Sequence, residues 1–168
     1  MKLAQEALRD KDGSADALVA EALGQAEEAN MELRELAQGI LPSVLTRGGL
    51  RAGIDALVSR LALPATVDVS VERLPMPIEA SAYFVVAEAL TNVVKHSGAG
   101  RADVKAWVDD GALQIEVRDD GVGGAQLDGS TGLIGLRDRV AAHNGRLRVE
   151  SPPGHGTLIA ATLSLRAS

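Results

Sequence analysis

Glu88, Asn92 and Lys95 could act together on a phosphate-bearing ligand, because their spacing places them in one row along a helix. Residues three or four apart are neighbours on a helical surface. A carboxylate and a neutral amide oxygen suit a divalent cation that keeps most of its water, which is how Mg²⁺ usually binds near phosphates. Lys95 would add a positive charge for an anion. Alternatively, the row is a solvated helix face with an ordinary pair of residues four positions apart.

Asp119 ends a predicted strand in which Leu113, Ile115 and Val117 have the same parity. If those three side chains face the core, Asp119 also points inward, because alternate residues of a strand share a face. A buried carboxylate without a partner is costly, and the local pattern offers no lysine or arginine. The sequence therefore indicates a ligand N–H group as its partner. The alternative is a surface turn, for which Asp-Gly is a common sequence.

Glycines follow this carboxylate closely. Six of the 18 glycines fall between positions 121 and 135, where they would let the backbone turn tightly and approach a ligand. The segment leads into a predicted helix, whose first N–H groups could face an anion. It lacks the Walker pattern Gly-x-x-x-x-Gly-Lys-Ser/Thr, and no Gly-x-Gly-x-x-Gly follows a first strand, so a P-loop and a Rossmann motif are excluded.

The three histidines do not form a metal site by their spacing. His96 ends a predicted helix, where a positive charge is favoured by the helix dipole. His143 lies in the last turn of another predicted helix. His155 lies between two glycines in a turn before the last strand. No Ser-His-Asp arrangement can be argued from the sequence.

Propensity and periodicity predict the elements that hold these residues. The predicted helices are 3–41, with a break at Asp12-Gly13-Ser14, 48–62, 77–97 and 133–143, and the predicted strands are 66–71, 102–108, 112–119, 146–150 and 157–165. Hairpins with intervening helices predict an α/β (α+β) fold, a two-layer sandwich with a mixed, mainly antiparallel sheet and helices on one face.

The first predicted helix carries a heptad seam, with apolar residues at alternating spacings of three and four from Val19 to Ile40. This pattern indicates a dimeric or bundled helix, and the alternative is a helix packed on its own domain. We therefore predict a helical segment over 1–45 and an α/β domain over 46–168.

Composition narrows the classes of function. The 168 residues include no cysteine, which excludes a disulfide framework, a thiolate metal site and a cysteine nucleophile. The net charge of −6 and only three aromatic residues argue against a nucleic-acid partner. No apolar run approaches the ~20 residues that cross a bilayer. We therefore expect a cytoplasmic segment, with membrane contact only through regions upstream of it.

Four motifs, in their order and spacing, resemble the ATP-binding catalytic domain of sensor histidine kinases, whose Bergerat fold is shared with gyrase, Hsp90 and MutL. Glu88–His96 resembles the N box, Asp119–Gly123 the G1 box, Gly132–Arg139 the G2 box and Gly154–Thr157 the G3 region. The resemblance covers about residues 64–166 and is closest to the nitrate-sensor class. Residues 32–42 resemble the end of the second dimerisation helix of that class.

The resemblance implies ATP and Mg²⁺ as ligands. Asn92 and Glu88 would coordinate Mg²⁺ and serve as the catalytic residues, and Lys95 and His96 would lie near the phosphates. Asp119 would accept the adenine amino hydrogen. Further nucleotide-binding residues implied by the resemblance are Gly121 and Gly123 beside the purine, Gly132, Leu133, Gly135 and Leu136 in the lid, and Gly156 and Thr157 on the adenine side.

The resemblance also implies a phosphoryl relay, from ATP to a histidine and then to an aspartate of a response regulator receiver domain, within a homodimer of the full-length kinase. In that class the acceptor histidine lies on the first dimerisation helix, and residues 1–12 contain no histidine. We therefore expect the chain to be part of a longer kinase and not to phosphorylate itself on the usual residue. The alternatives are an ATP hydrolase or ATP-gated module of the same fold, with Glu88 as the base for water, an anti-sigma-type serine kinase, and a non-catalytic dimerisation adaptor.

Overall fold

A computed structural model describes residues 43–125 and 131–166. Within these ranges the elements are α1 (Ser43–Val58), β1 (Ala65–Ser70), α2 (Met76–Asn92), β2 (Ala102–Asp109), β3 (Ala112–Asp119), α3 (Thr131–Ala141), β4 (Arg146–Glu150) and β5 (Thr157–Ser164). Their order is the predicted one. The predicted helix over 3–41 and its heptad seam lie outside the described residues, and the division at 45/46 stays a prediction.

The five strands form one sheet in the order β1-β2-β3-β5-β4. β1 runs parallel to β2, and the other neighbouring strands are antiparallel. A two-residue turn joins β2 to β3, and its residues Asp110 and Gly111 both have positive φ, 45° and 70°. Asp-Gly suits such a turn because both residue types tolerate positive φ. The mixed, mainly antiparallel sheet confirms the predicted α/β class.

The helices cover one face of this sheet. In β3, Leu113, Ile115 and Val117 are buried, whereas the polar residues between them are partly or fully exposed. The apolar side chains that the helices add to the same core are Leu45, Leu50, Ile54, Ala82, Val85, Val86, Ala89, Leu133, Leu136 and Val140. None of the helices within 43–125 and 131–166 is long and apolar enough to span a membrane.

Three contacts hold α3 antiparallel to α2. From the turn just after α3 to the N-terminal end of α3, the pairs are His143–Ser81, Arg139–Phe84 and Gly132–Glu88. The first is a 2.7 Å hydrogen bond between Nε2 and Oγ, and the second places a guanidinium 4.6 Å from a ring centroid. Because the residue numbers rise along one helix as they fall along the other, the beginning of α3 lies near the end of α2.

Gly49 divides α1 at a kink. Its φ of 71° and ψ of −172° are not helical, so α1 consists of two helical pieces. The predicted helix start at residue 48 corresponds to the second piece. A Cβ at Gly49 would lie 2.9 Å from Cδ of Arg73 and 3.4 Å from Oε1 of Glu79. Both the backbone conformation and the space around it therefore favour glycine.

Arg73 and Glu79 form the ion pair that Gly49 contacts. The Glu79 carboxylate is fully buried, and its two oxygens accept from Nε of Arg73 at 3.0 Å and from Nη2 at 3.2 Å. The amide of Leu74 donates to the same carboxylate at 3.0 Å. A two-pronged Arg–carboxylate pair is stronger than a single hydrogen bond. It ties the segment after β1 to the first turn of α2.

Arg73→Ala is expected to lower the free energy of unfolding by about 3 kcal/mol, because it leaves a buried carboxylate without its cation. Arg51→Ala is the matched control. The two arginine side chains are equally exposed, 54% and 55%, but the partner of Arg51, Asp55, is itself 50% exposed. Exposed pairs contribute at most about 1 kcal/mol. Equilibrium urea unfolding of both variants measures the difference, and equal losses would contradict a special role for the buried pair.

Candidate functional site

A cavity of about 410 Å³ lies between the end of α2, the ends of β3 and β5 that meet there, and the start of α3. It is lined by the apolar residues Ala89, Val93, Val117, Ala125, Leu133 and Ile159, the polar residues Asn92, His96, Ser97, Asp119 and Thr157, and two glycines, Gly123 and Gly124. Apolar walls with a few converging polar groups, at this size, are typical of small-molecule sites.

Asp119 is the acidic residue of this cavity. Its side chain points inward from the end of β3, as strand parity predicts, and the residue is only 7% exposed. The amide of Gly121 donates to its Oδ1 at 2.8 Å. An ionised carboxylate offers about four acceptor positions, so the amide leaves capacity for a ligand donor.

The turn between β4 and β5 packs directly against the segment after β3. Gly156 has a φ of 71°, and a Cβ there would overlap the carbonyl oxygen of Asp119. Its amide donates to the carbonyl of Gly121 at 2.8 Å, and the amide of Gly154 donates to that of Val122 at 2.7 Å. This close approach explains the need for glycine at position 156. Gly123 also has positive φ and lines the cavity.

Thr157 is connected to this segment through Ser151. The two hydroxyl oxygens are 2.9 Å apart. The amide of Ala125 donates to Oγ of Ser151 at 2.9 Å, and the amide of Gly124 donates to its carbonyl at 2.8 Å. The sequence gives no signal for Ser151, because a serine before Pro-Pro-Gly has the pattern of any turn.

Asp120 has the opposite parity to Asp119 and is exposed, as expected for a solvated residue. Its Oδ1 accepts from the amides of Gly100 at 2.8 Å and Arg101 at 3.1 Å. The hydrogen bond from the Arg101 amide is the main reason why the pKa of the Asp120 carboxyl lies below its usual value. Asp120 thus ties the loop after α2 to the end of β3.

Glu88 and Asn92 lie one turn apart on α2, as their spacing predicts, but they have different neighbours. Asn92 lines the cavity. The half-buried carboxylate of Glu88 lies against Gly132 at the start of α3. A negative charge is favourable at a helix N-terminus.

After Asn92 the helix changes into a π-helical turn, Val93–Ser97. Regular helix was expected up to residue 97, and residue propensities carry no signal for a π turn, which is a rare geometry. His96 and Ser97 line the cavity, whereas Lys95 lines a separate groove of about 240 Å³ that also includes Arg60. The structure therefore does not continue the Glu88–Asn92 row to Lys95. Its proximity to phosphates stays a prediction.

The residues predicted around the lid differ in their surroundings. Leu133 lines the cavity, and Leu136 is buried in the core. Gly135 is exposed, with open space where a Cβ would lie. Residues 126–130 lie outside the described residues. The nucleotide contacts of Gly132, Gly135 and Leu136 stay predictions.

The polar residues at the end of α2 could bind a cation that enters the cavity together with a phosphate-bearing ligand. Within the described ranges no three His, Asp or Glu side chains come together as a metal site. Mg²⁺ bound to phosphates needs only one or two protein ligands and keeps several waters. Asn92, whose amide oxygen could serve as such a ligand, lines the cavity, whereas the Glu88 carboxylate one turn away lies against Gly132.

Known proteins resemble this chain in sequence. The sensor histidine kinase MctS of Rhizobium johnstonii is 32% identical over 77% of this chain and 31% of its own length. The sensor histidine kinase NarS of Mycobacterium tuberculosis is 32% identical over 90% of this chain and 38% of its own length. The chain thus spans less than two fifths of the length of these curated relatives.

The fold has solved counterparts. The histidine kinase domain of the Erythrobacter litoralis EL346 blue-light activated histidine kinase matches with a TM-score of 0.58 and 24% identity, over 70% of this chain and 60% of that chain. This likeness confirms the predicted α/β sandwich. Residues 78–167, more than half of the chain, match the model of one protein family and include all four motifs. The chain therefore belongs to the family of histidine kinase-, DNA gyrase B-, and HSP90-like ATPases.

Proposed function

We propose that this chain is the catalytic part of a sensor histidine kinase, and that its cavity binds Mg-ATP. The observation that carries the proposal is Asp119, a buried carboxylate in a cavity with apolar walls that Asn92 also lines. The family match and the sensor histidine kinases among the relatives support the same assignment.

The adenine ring would lie between the apolar walls of the cavity, beside Val117 and Ile159. Asp119 would accept a hydrogen bond from the exocyclic amino group, since its carboxylate is already oriented by the Gly121 amide. Guanine carries a carbonyl oxygen at that position, so a carboxylate would oppose an acceptor. The site would therefore select adenine over guanine by electrostatics, since a buried acceptor left without a donor is costly.

The triphosphate would extend toward the end of α2 and the start of α3. Asn92 would hold the cation through its amide oxygen, Glu88 would contribute directly or through water, and His96 would lie beside the phosphates. When bound, Mg²⁺ neutralises and orients the phosphate oxygens. The contribution of the chain to phosphoryl transfer is then mainly positioning and charge stabilisation.

In the whole protein, the γ-phosphorus would be attacked by an imidazole nitrogen of a histidine, its bond to the ADP oxygen would break, and the phosphoryl group would pass on to a receiver-domain aspartate. The histidine and the receiver domain would come from outside the described residues. We also propose that the full-length kinase is a homodimer and that this segment of it lies in the cytoplasm.

Asp119→Asn is expected to weaken Mg-ATP binding by about 100-fold, because an amide N–H would face the adenine amino group in place of an acceptor. Isothermal titration calorimetry measures the affinity. Asp109→Asn, at the far end of the same β-hairpin, is the matched control and should bind as the unaltered chain does. Unchanged affinity in Asp119→Asn, or equal affinities of the unaltered chain for ATP and GTP, would contradict the adenine assignment.

Asn92→Ala is expected to weaken ATP binding about tenfold when Mg²⁺ is present and little when it is chelated, because the lost oxygen acts through the cation. Titrations with ATP in MgCl₂ and in EDTA measure both affinities. Adenosine, which carries no phosphate, is the control ligand and should bind to Asn92→Ala as well as it binds to the unaltered chain. A similar loss in both buffers would remove Asn92 from the cation site.

A further inference from the structure

The π-helical turn after α2 decides which side chains reach the cavity. In a continued α-helix, Lys95 and His96 would both follow Asn92 on one face. The π turn holds one more residue, so His96 and Ser97 line the cavity instead, and Lys95 faces the separate groove. Short π turns of this kind occur frequently at functional sites.

Ser97 completes this turn with its side chain. The residue is buried, and its hydroxyl donates to the carbonyl of Val93 at 2.7 Å. In an α-helix that carbonyl would receive the amide of Ser97 itself. The hydroxyl also accepts from the amide of Ala99 at 3.0 Å, beyond Gly98, whose φ of 58° ends the helix. One hydroxyl therefore satisfies backbone groups on both sides of the end of the turn.

The backbone of Ser97 contacts the segment that follows Asp119. Its carbonyl accepts from the amide of Val122 at 2.8 Å. A Cβ at Gly121 would overlap Ser97, so the two segments are in direct contact. The amide of that same Gly121 orients the Asp119 carboxylate. Ser97 lies in the same turn as His96 and thus connects that turn to the segment that carries Asp119.

We propose that Ser97 is a positioning residue for the nucleotide. Its hydroxyl holds the π turn, which keeps His96 and Ser97, and not Lys95, at the phosphate end of the cavity, while its carbonyl sets the separation of that end from Asp119. This inference rests on the proposed function, because it assigns the two ends of the cavity to the phosphates and the adenine.

The experiment compares affinities for Mg-ATP and for adenosine, the first by calorimetry and the second by NMR titration. Ser97→Ala removes the hydroxyl and leaves the carbonyl contact with Val122. The ratio of the two affinities is expected to fall about tenfold, because one positioning hydrogen bond at the phosphate end is lost while the adenine contacts remain. Ser97→Thr keeps a hydroxyl and should keep the original ratio.

Ser81→Ala is the matched control. Ser81 is a buried serine of α2, which precedes the π turn, and it forms a hydrogen bond with His143 and does not line the cavity. Both alanine variants should lower the melting temperature, but only Ser97→Ala should change the affinity ratio. A changed affinity ratio in Ser97→Ala alone, at a comparable loss of melting temperature in both variants, therefore separates a positioning role from a purely structural role.

A ratio in Ser97→Ala within twofold of the unaltered chain, or equal to that in Ser81→Ala, overturns the proposal, as does a Ser97→Thr variant as impaired as Ser97→Ala. If Ser97→Ala does not fold, Ser97→Cys, which keeps the volume with a weaker donor, is judged by the same ratio. An unaltered chain that binds no Mg-ATP contradicts the proposed function itself, whereas normal binding with an unchanged ratio contradicts only the role of Ser97.

Discussion

The cost of burying a carboxylate at the end of β3 is the constraint on which the site depends. A carboxylate buried as Asp119 is requires hydrogen-bond donors, and the chain supplies one, the amide of Gly121. That amide is aimed correctly because the following residues are held by backbone hydrogen bonds from the Gly154–Gly156 turn and to the carbonyl of Ser97. The glycine-rich segments therefore help to orient the side chain of Asp119.

Chain connectivity brings the four motifs to one edge of the sheet. α2 leads through the loop 98–101 into β2, whose first residue, Ala102, pairs with Asp119 at the end of β3. On the other side, Asp119 pairs with Thr157, the first residue of β5. Antiparallel pairing thus places the end of one strand beside the beginnings of two others. The short connection into β2 keeps the end of α2 close to these strand ends.

Local patterns in the sequence predict the element order from residue 43 and the inward direction of Asp119, because strand parity and helix spacing are repeated along the chain. They fail where a contact joins distant segments. The π turn that directs Lys95 away from the cavity has no periodic signature, and neither do the partners of Ser97 and Ser151. The contact of Glu88 with the start of α3 depends in the same way on how two helices pack.

Two pairs of buried polar residues within the described ranges separate structural roles from functional ones. Glu79 and Asp119 are both buried acids, but Glu79 is neutralised by Arg73, whereas Asp119 has an amide partner and faces a cavity. A buried acid whose charge is fully paired within the chain stabilises the fold. A buried acid that still faces a cavity is suited to bind a ligand. Ser81 and Ser97 divide in the same way, since only Ser97 lines the cavity. Burial is common to both kinds of residue, and contact with the cavity distinguishes the functional ones.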